Sequence, residues 1–360
     1  MTPLPPRRDL PDLQTRRRHL MSEIRTPARR PRRHLLVGGL LTGAVVAVAL
    51  VVAPGGRPDI RPSVPGQSSP LRLIAASEVL TRASEKARTE PEPDPRSGRY
   101  LYFESKVEQD SYMRVHHGEG DEKGSVQRNK MSSYSEVWYP IGGRRAGLLR
   151  GRGENFQGPW PGNYTPKKQS HAGWFCKRHQ DISEAERRNL KVEPDCEVGA
   201  DRYRDDLPTE ADGMYKWLYD NAQGGNPANV QAFHTVGETL YETYLPPASR
   251  AALFAAAARI PGTTVREDVT DLVGRKGVAV GITWNDTRFE LIFDAVTYTY
   301  FGERMIVDHD NTTPVPRSRK SPSMTRSSDP ELDRYQHPGH VIRQYVLLRV
   351  AQVDRADERP

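Results

Sequence analysis

The sequence lacks the residue patterns that most often carry catalysis or nucleotide binding. It has no G-x-S-x-G elbow, no H-E-x-x-H pair and no cysteine nucleophile with an arranged histidine. A Walker-type Lys-Ser/Thr and a G-x-G-x-x-G turn after a strand are also missing, and no internal repeat of fixed period is visible. We therefore expect a protein that acts by binding rather than as an enzyme, and without a cofactor.

Cysteine is scarce, with two residues in 360, Cys176 and Cys196. His171 and His179 lie near Cys176 and keep a zinc site open as the alternative, but no C-x-x-C or H-x-x-x-H pair accompanies them. The intervening loop is rich in Gly, Pro and charge, and a covalent link stabilises such a loop by about 2–4 kcal/mol. We predict a Cys176–Cys196 disulfide, which requires an oxidising compartment.

The chain has a single long apolar run, residues 35–53, which holds no charge and one hydroxyl, Thr42. At about 1.5 Å per residue, a helix of this length covers close to the roughly 30 Å hydrocarbon core of a bilayer. A buried core helix is disfavoured because the run is apolar on every side. A cleaved signal peptide is the second alternative. Val51 and Ala53 would suit a cleavage site, but Pro54 directly after it would not. We predict a transmembrane helix.

The positive charge of the chain is confined to its start. Residues 1–34 contain ten Arg and three acidic residues, a net +7, which is also the net charge of the whole chain. The remainder is therefore neutral, and the pI near 9.3 is no sign of nucleic-acid binding. Because basic flanks stay in the cytoplasm, we predict that the N-terminus is cytoplasmic and everything after Ala53 is extracytoplasmic.

These features predict four segments of a single-pass cell-membrane protein. Residues 1–34 are an Arg-rich cytoplasmic tail, 35–53 the transmembrane helix, and 54–70 a Pro-, Gly- and Ser-rich tether. Residues 71–360 form an extracytoplasmic domain, with a polar excursion loop at 312–336. The bilayer is then a partner through residues 35–53.

The order of periodic segments predicts an α+β fold. Apolar residues at helical spacing predict a first helix within 71–88, and three more helices lie between Thr209, a predicted N-cap, and Pro261. We interpret 142–157 as loop or a short strand. Runs rich in β-branched and aromatic residues predict strands at 100–107, 135–139, 265–269, 277–284, 289–294, 298–301 and 341–353. We expect an antiparallel sheet covered on one face by the helices and preceded by the transmembrane helix.

Three polar clusters could carry chemistry, and each also has a simpler interpretation. A histidine pair beside acidic residues could bind a metal, but it sits in a polar turn. Paired carboxylates could act as acid and base, but they lie where a helix begins. Two Gly-Arg runs could contact phosphate, but they lack a Walker lysine. The clusters are His116-His117 with Glu119, Asp121 and Glu122; Asp205-Asp206 with Glu210 and Asp212; and 142–145 with 151–153.

The stretch from Leu207 to Phe301 resembles a family of uncharacterised, membrane-anchored actinobacterial proteins known mainly by a locus-tag name. The matching residues are Leu207-Pro208-Thr209, the Ala-rich run 250–259, Ile260-Pro261-Gly262, Gly274-Arg275 followed by 277–280, and 290–294. The resemblance implies one span upstream and suggests a link to sigma-factor signalling. A zinc anti-sigma domain is excluded, because the cytoplasmic tail contains no cysteine.

Taken together, these features predict a non-catalytic binding or sensing protein of the cell envelope with an unknown ligand or protein partner. A carrier of a lipid or other apolar ligand is the first alternative, and a large apolar pocket would favour it. A membrane-anchored hydrolase that uses the acidic residues of 205–212 is the second. Such a hydrolase needs two of these carboxylates to converge in a cleft.

Overall fold

A computed structural model of the chain describes residues 75–94, 98–116, 123–159, 165–308 and 337–360, together with residues 162 and 335. The predicted tail, span and tether all precede residue 75 and lie outside this part of the chain, as does nearly all of the predicted loop 312–336. None of the helices in the described ranges is long and apolar enough to cross a membrane.

The described residues form one antiparallel sheet of nine strands in the order β4-β3-β2-β1-β9-β8-β7-β6-β5. The order follows the chain except that β9, the last strand, pairs with β1 and so joins two meanders. The strands are β1 (Tyr100–Val115), β2 (Ser125–Pro140), β3 (Gly147–Pro159), β4 (Lys167–Phe175), β5 (Thr264–Thr270), β6 (Lys276–Trp284), β7 (Thr287–Asp294), β8 (Tyr300–Val307) and β9 (Val341–Val353).

The helices fall before β1 and between the two meanders, which confirms the α+β order. They are α1 (Ala76–Arg88), α2 (Glu184–Arg188), α3 (Ala211–Asp220), α4 (Ala228–Glu242) and α5 (Pro247–Ala257), with a 3-10 turn at His179–Asp181. Pro247 occupies the first turn of α5, where its missing N–H has no helical partner to lose. Helix α3 begins at Ala211 after Glu210, which makes no side-chain cap bond, so the prediction that Thr209 caps this helix is wrong.

Helices α1, α3, α4 and α5 cover one face of the second meander, as the sequence predicts. Helix α1 packs on α5, and α1 and α4 both lie on β6. Phe233 and Phe254 are edge-on to Phe289 and Phe293 of β7, and all four rings are buried. We call this side of the sheet the helical face. Burial of these large rings is the main favourable contribution to the free energy of folding here.

The first meander has a separate core on the opposite, outer face. Its centre is Trp138, which is fully buried beside Tyr102. The loop that contains both cysteines and the C-terminal residues cover it, and Trp138 Nε1 donates to the carbonyl oxygen of Glu358 at 2.6 Å. The far ends of β1 and β2 are half-buried on both faces.

The strands of this first meander are longer than predicted. Strands β1 and β2 have 16 residues each. Strand β3 occupies most of 142–157, so of the two interpretations of that segment, loop or short strand, the strand is correct, although β3 is longer, at 13 residues. Strand β4 has no counterpart in the sequence prediction. Most of the extra residues are polar or glycine, so local hydrophobic alternation does not mark these segments. Pairing along a neighbouring strand supplies their hydrogen bonds instead.

Candidate functional site

The two cysteines form the predicted disulfide. Cys176 and Cys196 are bonded, with their Cα atoms 5.6 Å apart, and both are buried. Arg144 fixes the second cysteine further, because its carbonyl oxygen accepts from the Cys196 amide at 3.0 Å and its Nε donates to the Cys196 carbonyl at 2.9 Å. Both sulfurs are therefore committed to the covalent bond and are not zinc ligands.

The acidic residues of 205–212 do not form a cleft. Asp205, Asp206, Glu210 and Asp212 are all exposed. Arg204 donates to Asp206 at 2.8 Å, and Arg259, which follows α5, pairs with Asp212 at 2.5 Å. Exposed carboxylates paired with arginines act as surface charges, so this region lacks the converging pair that the hydrolase hypothesis requires.

The Gly-Arg runs also serve the fold. The Gly142 amide donates to Asp201 at 3.0 Å, so an acidic side chain already occupies the place proposed for a phosphate. Arg145 pairs with Glu193 at 3.1 Å and lies over the Tyr100 ring. Of the histidine cluster only His116 lies in the described ranges, and no three His, Cys, Asp or Glu within those ranges could hold a metal ion together.

The described domain contains a crevice of about 430 Å³ between the helices and the sheet, at the end where β9 and β1 extend beyond β8. The last turn of α1, the end of α4 and the body of α5 form its upper wall. The floor comes from the start of β1, the second half of β9 and the turn before β8. This volume lies within the roughly 300–1,000 Å³ typical of small-molecule sites.

The crevice exists because the pairing between β8 and β9 ends before β9 does. Strand β8 pairs with β9 only from Gly302 to Ile306, whereas β9 continues beside β1 to Val353. Arg275 lies at the parting point, where its Nη2 donates to the Leu347 carbonyl at 3.1 Å and its guanidinium stacks on Phe301 at 3.8 Å. One edge of β9 is therefore unpaired beyond this point, and Arg275 satisfies one backbone acceptor there, the Leu347 carbonyl.

The walls of the crevice are mainly apolar. The helices and the segment after α4 contribute aliphatic and aromatic side chains, and the sheet contributes more from three strands. These residues are Ala83, Ala87, Leu240, Leu245 and Phe254 above, and Leu101, Phe103, Phe301, Leu347 and Val350 below. An apolar molecule would therefore be desolvated on both sides.

A charged pair lies among these apolar residues. Arg250 of α5 forms an ion pair with Glu90, which follows α1, and their side chains are 17% and 26% exposed. The Arg250 guanidinium also faces the Tyr244 ring at 5.6 Å, while its Nε is buried without a hydrogen-bond partner in the described part of the chain. A cation with an unused donor in a largely apolar crevice is suited to bind a polar group.

Tyr300 also lines the crevice, although the charged and phenolic groups that act on its hydroxyl, Glu303, Tyr345 and Arg343, lie outside the lining. The Tyr300 hydroxyl is buried and has no hydrogen-bond partner within the described ranges. Burial raises the pKa of Tyr300 well above its ordinary value, and the carboxylate of Glu303 acts in the same direction. The phenol therefore stays protonated at physiological pH and can donate a hydrogen bond.

Sequence reasoning missed this site because its residues come from several distant segments, each with its own structural explanation. One weak signal was present. Lys86 lies three residues after Ala83 and directly before Ala87, two buried residues of α1, so it belongs to the edge of the apolar stripe.

Comparison of the chain with known protein families and with curated proteins gives no match.

Proposed function

We propose that this protein binds an amphipathic molecule in the crevice between its helices and its sheet. The observation that carries the proposal is the combination of apolar walls with a cationic side chain, Arg250, whose buried Nε has no hydrogen-bond partner in the described residues. A wholly apolar ligand would leave this atom unsatisfied, which is unfavourable, and a wholly polar ligand would lose its hydration against the apolar walls.

The proposal joins the two binding hypotheses drawn from the sequence. A binding or sensing protein of the envelope needs a ligand site, and the crevice provides one of suitable volume. The location at the membrane rests on the apolar run 35–53 and its basic flank. A protein tethered in this way would meet amphipathic molecules that leave the bilayer. The link to sigma-factor signalling rests on the family resemblance alone.

A photolabelling experiment on the full chain in membranes tests the proposal. The probe is a diazirine-bearing palmitic acid with an alkyne tag, and digestion with mass spectrometry maps the labelled peptides. We expect label in the segments that line the crevice, namely 240–254 and 347–352, in addition to any label in the apolar run. Mapping by peptide separates crevice binding from insertion into the bilayer.

Two matched tryptophan variants make the test specific. Leu240→Trp adds bulk to a half-buried residue of the crevice wall, whereas Leu190→Trp adds it to a half-buried residue that packs on the outer-face core. Crevice labelling should fall several-fold in the first variant and stay at the wild-type level in the second. Equal labelling in both, or no label in the crevice of the wild type, would rule the proposal out.

A further inference from the structure

The crevice is lined by charged as well as apolar side chains. Its lining includes four cationic side chains and two acidic ones: Lys86, Arg250, Arg275 and Arg349 against Glu90 and Glu92. Both acids are engaged, because Glu90 pairs with Arg250 and Glu92 accepts from the Tyr203 hydroxyl at 3.3 Å. Arg275 and Arg349 lie beside acids just outside the lining, so in the described part of the chain Lys86 is the lining cation without an acidic partner.

Two of the four cations are committed to the fold. Arg275 pairs with Asp271 at 2.6 Å and bonds the Leu347 carbonyl. Arg349 is 53% exposed, lies 3.8 Å from Glu104 and donates to the carbonyl oxygen of Pro360 at 2.8 Å. Both guanidinium groups therefore already have an acidic neighbour and a backbone acceptor within the fold.

The other two cations have unused capacity. Lys86 is half-buried in the last turn of α1 and has no ion-pair partner in the described part of the chain. A lysine in a last helical turn is favoured by the helix dipole, but that interaction uses none of its three N–H donors for a side-chain acceptor. Arg250 retains its buried Nε–H. Both side chains line the same crevice.

We propose that the ligand of this crevice is an acyl-chain amphiphile with an anionic head group, which Lys86 and Arg250 bind while the chain lies against Leu101, Phe103 and Phe254. The inference rests on the proposed function and adds the charge of the ligand to it. An anion would take up the unused donors and pair with the Lys86 ammonium. A neutral head group would satisfy the donors more weakly, since charge-assisted hydrogen bonds are the stronger ones.

The test compares two photoactivatable probes of equal chain length, a C16 fatty acid and the corresponding C16 alcohol, on the full chain in membranes. The ratio of acid to alcohol label in the crevice peptides is compared between the wild type and Lys86→Met. We expect the acid label to fall by about tenfold in the variant and the alcohol label to remain unchanged. Because each probe is compared between the wild type and the variant, differences between the two probes in partition into the bilayer cancel.

Two further variants separate charge from structure. Lys86→Arg keeps the positive charge and should retain the preference for the acid. Lys216→Met removes an exposed lysine of α3 that pairs with Asp220 outside the crevice, and it should leave both labels at the wild-type level. Thermal unfolding of each variant confirms that the domain is folded.

The outcomes distinguish this inference from the proposed function. Acid and alcohol probes that label the crevice with the same ratio in the wild type and in Lys86→Met would overturn the anionic head group, while the amphiphile site would stand. Failure of both probes to reach the crevice of the wild type would overturn both proposals.

Discussion

The ring of Phe289 on β7 lies directly against the backbone of Gly237 in the middle of α4. A Cβ placed on Gly237 would overlap Cζ of Phe289 and would lie 2.8 Å from Oε2 of Glu303. Glycine therefore allows the helix to approach the sheet, although a mid-helix glycine ordinarily costs up to about 1 kcal/mol relative to alanine.

Gly237→Ala should consequently destabilise the domain by about 1–3 kcal/mol, because overpacking outweighs the gain in helix propensity. Thermal unfolding of the full chain, followed by tryptophan fluorescence, measures the change. Gly213→Ala in α3 is the control, since its Cβ would meet only the Pro208 ring at 3.3 Å. Similar shifts in the two variants would show that the close approach of α4 to Phe289 at Gly237 does not make this position more sensitive to an added methyl group than Gly213.

Glu290 holds together a cluster of arginines on the outer face of the second meander. Its buried carboxylate accepts from Arg288 Nε at 2.6 Å and from Arg304 Nε at 2.5 Å. Glu290→Gln would leave the Arg288 guanidinium, only 4% exposed, without its anion, at a cost of about 3–5 kcal/mol.

Glu184→Gln provides the matched control for that measurement. Glu184 forms an exposed pair with Arg188, so its loss should change the free energy of unfolding by less than about 0.5 kcal/mol. Denaturant titration of both variants compares the two costs, and comparable values would contradict the importance assigned to the buried cluster.

The Cys176–Cys196 disulfide closes a loop over the outer-face core. The double variant Cys176→Ser/Cys196→Ser should lose about 2–4 kcal/mol of stability, mainly because the unfolded chain gains freedom. Gel mobility with and without reductant verifies the bond in the wild type, and thermal unfolding gives the cost. Photolabelling of the crevice should persist in the variant, since the lining residues come from other segments.

His234 of α4 gives the domain a pH-dependent stability. Its ring lies against Phe289, with ring centroids 4.7 Å apart, and burial lowers the pKa of His234 from its ordinary value of 6.5. In the window below pH 6.5 the unfolded chain binds a proton at this position more readily than the folded one, so stability falls as the pH falls. Above pH 6.5 this histidine has no effect on the dependence.

His234→Phe should remove that part of the pH dependence. A single histidine contributes a slope of at most about 1.4 kcal/mol per pH unit. Unfolding curves between pH 5 and pH 8 for the wild type and the variant give the difference in slope. Identical slopes would show that the histidine is not buried as described.

The predicted topology has a direct test of its own. Reporter fusions after residue 30 and after residue 60 should report opposite sides of the membrane, because the intervening run 35–53 is long enough to span it. Reporters on the same side would contradict the predicted single span.

The sequence was most informative where the pattern is local and dense. The final strand was predicted at its observed bounds, Val341–Val353, because nearly continuous β-branched and aliphatic residues leave little choice of structure. The disulfide followed from a count of two cysteines. In each case the physical constraint acts within a few residues or between two unique partners.

Only the tertiary structure determined the polar strands and the crevice. Strand β4 and the far halves of β1 and β2 carry no hydrophobic alternation, and they become strands because a neighbour satisfies their backbone groups. The crevice arises where β8 ends before β9, a difference in length between strands that no local pattern encodes. Lys86 and Arg250 face the same space because α1 packs on α5. Such sites depend on contacts between distant segments, and hydrophobic periodicity reports only which face of each segment is buried.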